Sequence, residues 1–232
     1  MKSITLQSLL DQGQVWTANG ASLKPALQGA RSTGFEALDA QLSQGGWPAY
    51  GITEIHSSHP GQGELQLILP SLQRSPKLWV WLDPPHNPMP QALIRHGITL
   101  SQCLLIRTHS PGDALWASER CLQSGCVDTL MSWLRQPPNP SALKRLQMAA
   151  ERGQALAHLV HHQSNWQLDA GTHARITLHP SDEHGSVTVN LERQRGGRRH
   201  APLQLPLLAM QSERTPVVPS RSAQLSWLDA AS

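Results

Sequence analysis

The stretch Ile52–Gln73, ITEIHSSHPGQGELQLILPSLQ, decides the reading of the fold. Its first five residues, ITEIH, alternate as a strand should. Its last ten, ELQLILPSLQ, set Leu65, Ile68, Leu69 and Leu72 at helical spacing. Between them lies a loop holding Gly61 and Gly63. Strand, glycine-containing loop and helix, in that order, is the plan of a phosphate-binding loop, whose backbone N–H groups face an anion.

The alternation continues downstream. KLWVWLD reads as a strand covered on both faces, PQALIRHG as a helix stopped by Gly97, and CLLIRT as another buried strand. GDALWASERCLQSG reads as a helix closed by Gly125. VDTLMSWL, PSALKRLQMAAERG and ALAHLVHH follow as strand, helix and strand. Such repeats imply a mostly parallel sheet with helices on both faces, an α/β fold. ARITLHP and SVTVNLERQRGGRRHAPLQLPL alternate around a Gly-Gly turn and read as an antiparallel β extension.

Upstream, residues 3–13 read as an amphipathic helix carrying Ile4, Leu6, Leu9 and Leu10. Residues 14–30 read as a connector. RSTGFEALDAQL reads as a short helix, with Ser32 and Thr33 as its caps and Leu38 and Leu42 facing inward. From Gln211 onward Ser, Pro, Arg and Thr without periodicity imply a flexible C-terminal tail. The expected organisation is therefore 1–30 helix and connector, 31–210 core, and 211–232 tail.

Composition bounds the function classes. A formal charge of +3 neither demands nor excludes nucleic acid. Cys103, Cys121 and Cys126 are odd in number and lack CxxC spacing, which argues for a reducing cytoplasm rather than a disulfide framework. The N-terminal stretch has no apolar signal region, and no run of 18 apolar residues occurs, so neither secretion nor membrane spanning is expected. Of eight Trp, those at 79, 81, 116, 133 and 166 lie inside expected elements and read as core.

The loop's chemistry departs from its plan. The template GxxxxGK[ST] puts Ser58 at the first glycine and Gly63 at the second. It puts Glu64 where lysine would reach the phosphates, and Leu65 where a hydroxyl would bind magnesium. A carboxylate for a cation turns attraction into repulsion, each about 4 kcal/mol for unit charges about 4 Å apart near a surface. Leu65 offers magnesium no oxygen. The expectation is a chain without ATP hydrolysis and without a cofactor.

TGFEALDAQLSQGGWPAYGITEI resembles the opening of the RecA recombinase core. In that family the strand after the loop's helix ends in a catalytic glutamate, where WVWLDPPH has Pro85. A later strand ends in a magnesium-associated aspartate, near where TLMSWL has Trp133. The resemblance implies a RecA-like scaffold without its motor. Across residues 32–208, GELQLILPSL, LWVWLDPPHNP, DALWASERCLQSG, LKRLQMAAERG and ERQRGG resemble the ImuA family of translesion-synthesis accessory proteins. That resemblance implies a non-catalytic adaptor in SOS mutagenesis. Its partners would be an ImuB-like inactive polymerase and an error-prone polymerase, with RecA as a further one. SulA, a shortened relative, shares the middle segments and usually lacks TGFEALD…GGWP. A SulA-like role would be inhibition of cell division through the tubulin-like division GTPase.

Two further constellations bear on partners. RQRGGRRH gathers Arg193, Arg195, Arg198 and Arg199 at a turn, either for DNA phosphates or as a solvated hairpin tip. QLSWL in the tail, with Gln224, Leu225, Trp227 and Leu228, resembles the short motif that docks on the bacterial sliding clamp. Its alternative is folding back on the body or binding the ImuB-like partner. His56 and His59, and the trio His158, His161 and His162, lack the closed ligand set that zinc needs.

Overall fold

The computed structural model describes residues 29–163, 171–183, 185–197 and 200–207. The expected helix at 3–13, Trp166, Arg198, Arg199 and the tail motif lie outside the described residues. Eight strands form one sheet: β1 (Gly51–Ser57), β2 (Leu78–Leu82), β3 (Cys103–Ile106), β4 (Val127–Trp133), β5 (Leu156–His161), β6 (Ala174–Pro180), β7 (Ser186–Gln194) and β8 (Leu203–Pro206). Their order is β3-β2-β4-β5-β1-β6-β7-β8. Every pairing from β3 to β6 is parallel, and β6–β7–β8 is antiparallel. The α/β reading, with its antiparallel extension, is what the chain adopts.

Alternating strand residues build two cores. On β2, Trp79 and Trp81 join one cluster with Leu38, Trp47, Leu67, Ile68 and Leu72. Val80 and Leu82 join the other, with Leu122, Leu130, Leu143, Leu146 and Leu159. The first is supplied by the helices α1 (Glu36–Gln41), α2 (Glu64–Ile68) and α3 (Pro90–Arg95) and the loops around them. The second is roofed by the longer helices α4 (Pro111–Gln123) and α5 (Pro140–Gly153). Both open on a proline, and Ser110 and Asn139 accept the N–H of Asp113 at 3.1 Å and of Ala142 at 2.8 Å.

Several expectations are corrected. CLLI is the sheet's edge strand, paired only with β2, and Leu104 and Leu105 are 42% and 43% exposed. Trp116 is 62% exposed on α4 rather than in the core. Trp79 and Trp81 are buried, and Trp133 is half-buried against the first cluster. ELQLILPSLQ is α-helical only to Ile68 and continues as a 3₁₀ turn, Leu69–Arg74, because Pro70 has no N–H to continue the ladder. At α1 the N-cap is Phe35, and neither Ser32 nor Thr33 caps it. Thr33 Oγ1 accepts the Phe35 N–H at 3.1 Å, and Asp39 holds the Thr33 N–H at 2.8 Å. Leu38 and Leu42 face inward as expected.

Gly153 sets how closely α4 and α5 approach, since a Cβ there would stand 1.8 Å from the Leu122 carbonyl oxygen. Gly153→Ala is expected to push the helices apart and lower stability by about 1–3 kcal/mol, the usual cost of overpacking. Urea unfolding monitored by circular dichroism measures it.

Candidate functional site

β1 ends at Ser57, and the loop to α2 begins there. Gly61 and Gly63 both hold left-handed backbones, at φ 87° and 106°. A Cβ at Gly63 would lie 2.5 Å from Leu207 Cδ1, so the chain after β8 packs directly on the loop. The loop is therefore fixed by the antiparallel extension as well as by its own strand and helix.

The loop is filled from within. Glu64 is 3% exposed, and one carboxylate oxygen accepts the Ser57 hydroxyl. The other accepts the Gly61 N–H at 3.1 Å. The Ser58 N–H donates to Gln62 Oε1 at 3.0 Å. His162 closes the side, its Nδ1 3.0 Å from Ser57 Oγ and 3.9 Å from the Glu64 carboxylate. In a working phosphate loop the backbone amides wait for a ligand anion. Here two of them are engaged by side chains of the same turn, and the anion is Glu64 itself. Leu65 turns into the first core cluster.

The neighbouring strand ends are likewise engaged. Asp83, buried at the end of β2, accepts the Thr108 N–H at 2.7 Å and its hydroxyl at 2.5 Å. This carboxylate ties β2 to the segment after β3, and Pro85 lies exposed beyond it. Trp133 closes β4.

Behind the loop run buried polar contacts that sequence reading did not pick out. Glu54 on β1 accepts Arg175 Nε of β6 at 2.8 Å and lies 3.1 Å from His161 Nε2 of β5. Thr53 Oγ1 lies 2.5 Å from His158 Nδ1, and the Trp47 ring meets His158 edge-on at 5.0 Å. Arg31 bridges to Asp128 at 2.5 Å and to the Ala49 carbonyl at 2.9 Å. Full burial, with Arg31 adding to it, holds His158 down at about 3. The available signal was a polar residue inside an otherwise apolar strand, as in ITEIH and ALAHLVHH.

Of the arginine cluster, the described Arg193 and Arg195 take different places. Arg193 lies within β7, its guanidinium donating to the Thr172 hydroxyl and, at 3.3 Å, to the Thr172 carbonyl. Arg195 is exposed beside the Gly196–Gly197 turn, its N–H bound to the His173 carbonyl at 2.8 Å. Leu205 on β8 and Leu207 just after it are buried. Among the described residues no group of three His, Cys, Asp or Glu side chains is placed to hold a metal ion. Nor is any helix among them long and apolar enough to cross a membrane.

With this geometry in place, known proteins align as follows. The family model "Cell division inhibitor SulA" matches residues 51–157. That span is similar to this family and makes up less than half of the chain. SulA of Yersinia enterocolitica is 29% identical over 136 residues, 57% of this chain and 80% of its own length. SulA of Edwardsiella piscicida is 31% identical over 101 residues, 41% of this chain and 59% of its own length. The crystal structure of Pseudomonas aeruginosa SulA shares 26% identity, covering 47% of this chain and 96% of that one at a TM-score of 0.40. The RadB recombinase structure covers 75% of this chain and 94% of its own at a TM-score of 0.58. Its 16% identity speaks to fold alone, and the fold is RecA-like.

Removing the internal anion is expected to unsettle the loop. Glu64→Ala leaves the Gly61 N–H without its acceptor and the Ser57 hydroxyl with His162 Nδ1 alone, a loss of about 1–3 kcal/mol. Glu64→Gln keeps acceptor oxygen and is expected to lose less, with urea unfolding as the readout. His158 gives a pH dependence with a definite sign. The unfolded chain takes up this proton near 6.5 and the folded chain only near 3. Its contribution is therefore complete above 6.5 and lost as pH falls towards 3, by about 1.4 kcal/mol per unit. His158→Gln is expected to flatten the slope of stability against pH across that window.

Proposed function

We propose that this chain is a SulA-like inhibitor of cell division that acts by binding a partner, without turning over nucleotide. The match of residues 51–157 to the SulA family supports it, and that span contains the loop closed by Glu64. That closure is the observation that carries the non-catalytic half of the reading. The partner on this reading is the tubulin-like division GTPase, and inhibition would come from occupying its surface.

A second reading has its own observation. The segment 29–50 and strands β6–β8 lie outside the SulA-like span, yet the segment shares its core and the strands share both its sheet and its core. β6 pairs directly with β1, and Arg31 reaches Asp128. This larger body favours the ImuA-like role, an adaptor in damage-induced translesion synthesis joining an ImuB-like protein and an error-prone polymerase. Exposed Arg195 would then be a DNA contact, and Gln224–Leu228 a clamp or partner motif.

Expression from an inducible promoter separates the two. The division reading expects cells to elongate into filaments without DNA damage, and the division GTPase to co-purify with tagged protein. Normal division, together with loss of damage-induced mutations when the gene is deleted, would replace it with the adaptor reading.

A further inference from the structure

Among the described residues seven large apolar side chains stand out in solvent, and five of them lie between residues 89 and 105: Met89, Ile94, Leu100, Leu104 and Leu105. That stretch runs from α3 through the 3₁₀ turn Leu100–Gln102, on which α3 packs, into the edge strand β3. Single exposed apolar residues are ordinary, but a gathering of them at one edge marks an interaction site. The strand is also undefended. From Thr99 to Ile106 no side chain carries a charge, and there is no proline. Edge strands are ordinarily blunted by such residues, because their free N–H and C=O groups recruit another strand.

Pairing with β2 fixes which backbone groups face outward. The Asp83 N–H donates to the Ile106 carbonyl at 2.9 Å, so Ile106 and, two residues back, Leu104 direct their backbone groups to β2. Cys103, Leu105 and Arg107 direct theirs away from the sheet. The Cys103 N–H is already taken by the Leu100 carbonyl. The edge therefore offers the N–H groups of Leu105 and Arg107 as donors, with the carbonyls of Cys103 and Leu105 as acceptors.

This set is complementary to itself. About a two-fold axis at Leu105, antiparallel strands exchange N–H···O bonds between the two Leu105 residues. Each Arg107 N–H then meets the other copy's Cys103 carbonyl. An axis at Leu104 is poorer, because it relies on the Cys103 N–H that the Leu100 carbonyl already holds. The axis at Leu105 also matches the side chains. Leu105 meets Leu105 on the face of the first core cluster, where Cys103 packs, and Leu104 meets Ile106 on the face of the second. Arg107, the nearest charge, opposes Cys103 and not another arginine.

We propose that β3 pairs antiparallel with β3 of a second copy of this chain, extending the sheet across a two-fold axis at Leu105. Donors, acceptors and apolar side chains repeat about that axis, as an interface made by one patch with itself requires. A strand from an unrelated protein would find no charge here to be selected by. The axis is perpendicular to the sheet, so α3 lies on the same face in both copies, and Ile94 and Leu100 of each flank the joint. Interfaces built on so short a strand are weak, and the dimer is expected to be concentration-dependent.

The test is sedimentation equilibrium of the full chain, under reducing conditions, from about 5 to about 200 μM, the range in which weak dimers form. The wild-type chain is expected to pass from monomer to dimer. Leu105→Lys sets two ammonium groups across the axis and removes a leucine contact, and is expected to weaken dimerisation at least about tenfold. Leu105→Cys tests the register. Facing residues in a hydrogen-bonded antiparallel pair have Cα atoms about 5.5 Å apart, within disulfide reach. Mild oxidation is expected to crosslink this variant and not the wild-type chain with its native Cys103, Cys121 and Cys126. A wild-type monomer throughout the range overturns the proposal and would leave the edge to a strand of another protein. A dimer that Leu105→Lys does not weaken, or that Leu105→Cys does not crosslink, also overturns it. Leu105 is exposed, so both variants are expected to keep the fold, as circular dichroism checks; where lysine is not tolerated, the crosslink decides.

Discussion

A single buried carboxylate, Glu54, joins the two halves of this sheet. It sits on β1 between Arg175 of β6 and His161 of β5, with no exposed surface of its own. A buried charge is tolerated only when paired and hydrogen-bonded, so these strands cannot slide past one another without stranding it. The parallel half and the antiparallel extension are thereby held in one register. That register fixes where β1 ends, and so where the loop begins.

The loop after β1 runs strand, glycine turn and helix, and a carboxylate of the chain itself fills it. Gly61 and Gly63 still make the left-handed turn, while Glu64 supplies the negative charge that a ligand would bring. Packing of Leu207 against Gly63 makes the turn part of the hydrophobic structure, independent of any bound anion. Retention of the loop follows from this, since strand and helix need the connection whether or not anything binds there. Asp83, spent on Thr108, shows the same pattern at the next strand end, a carboxylate holding segments together.

Most of the architecture was legible because continuous apolar runs such as LWVWL and LAHLV mark sheet strands and the helices between them have clear periodicity. What was not legible follows from the limits of pattern. CLLI has the composition of a central strand, and nothing local says that only one neighbour pairs with it. Trp116 lies inside an amphipathic helix, and its exposure depends on how α4 is rotated against α5. That Glu64 stands beside the glycine turn was visible in sequence. That its carboxylate turns back onto Gly61 and Ser57 was not, because Leu207 packed on Gly63 and His162 beside Ser57 come from distant parts of the chain. Contacts such as Arg31 with Asp128 join residues far apart in the chain and left no local trace.

The most direct measurement is calorimetric titration of the purified chain with magnesium ATP. A loop already filled by Glu64 gives no saturable heat, any association being weaker than about 1 mM. Stoichiometric binding near about 1 μM, lost when Glu64 is changed to Ala, would show that the loop holds nucleotide and that its carboxylate serves the ligand rather than replacing it.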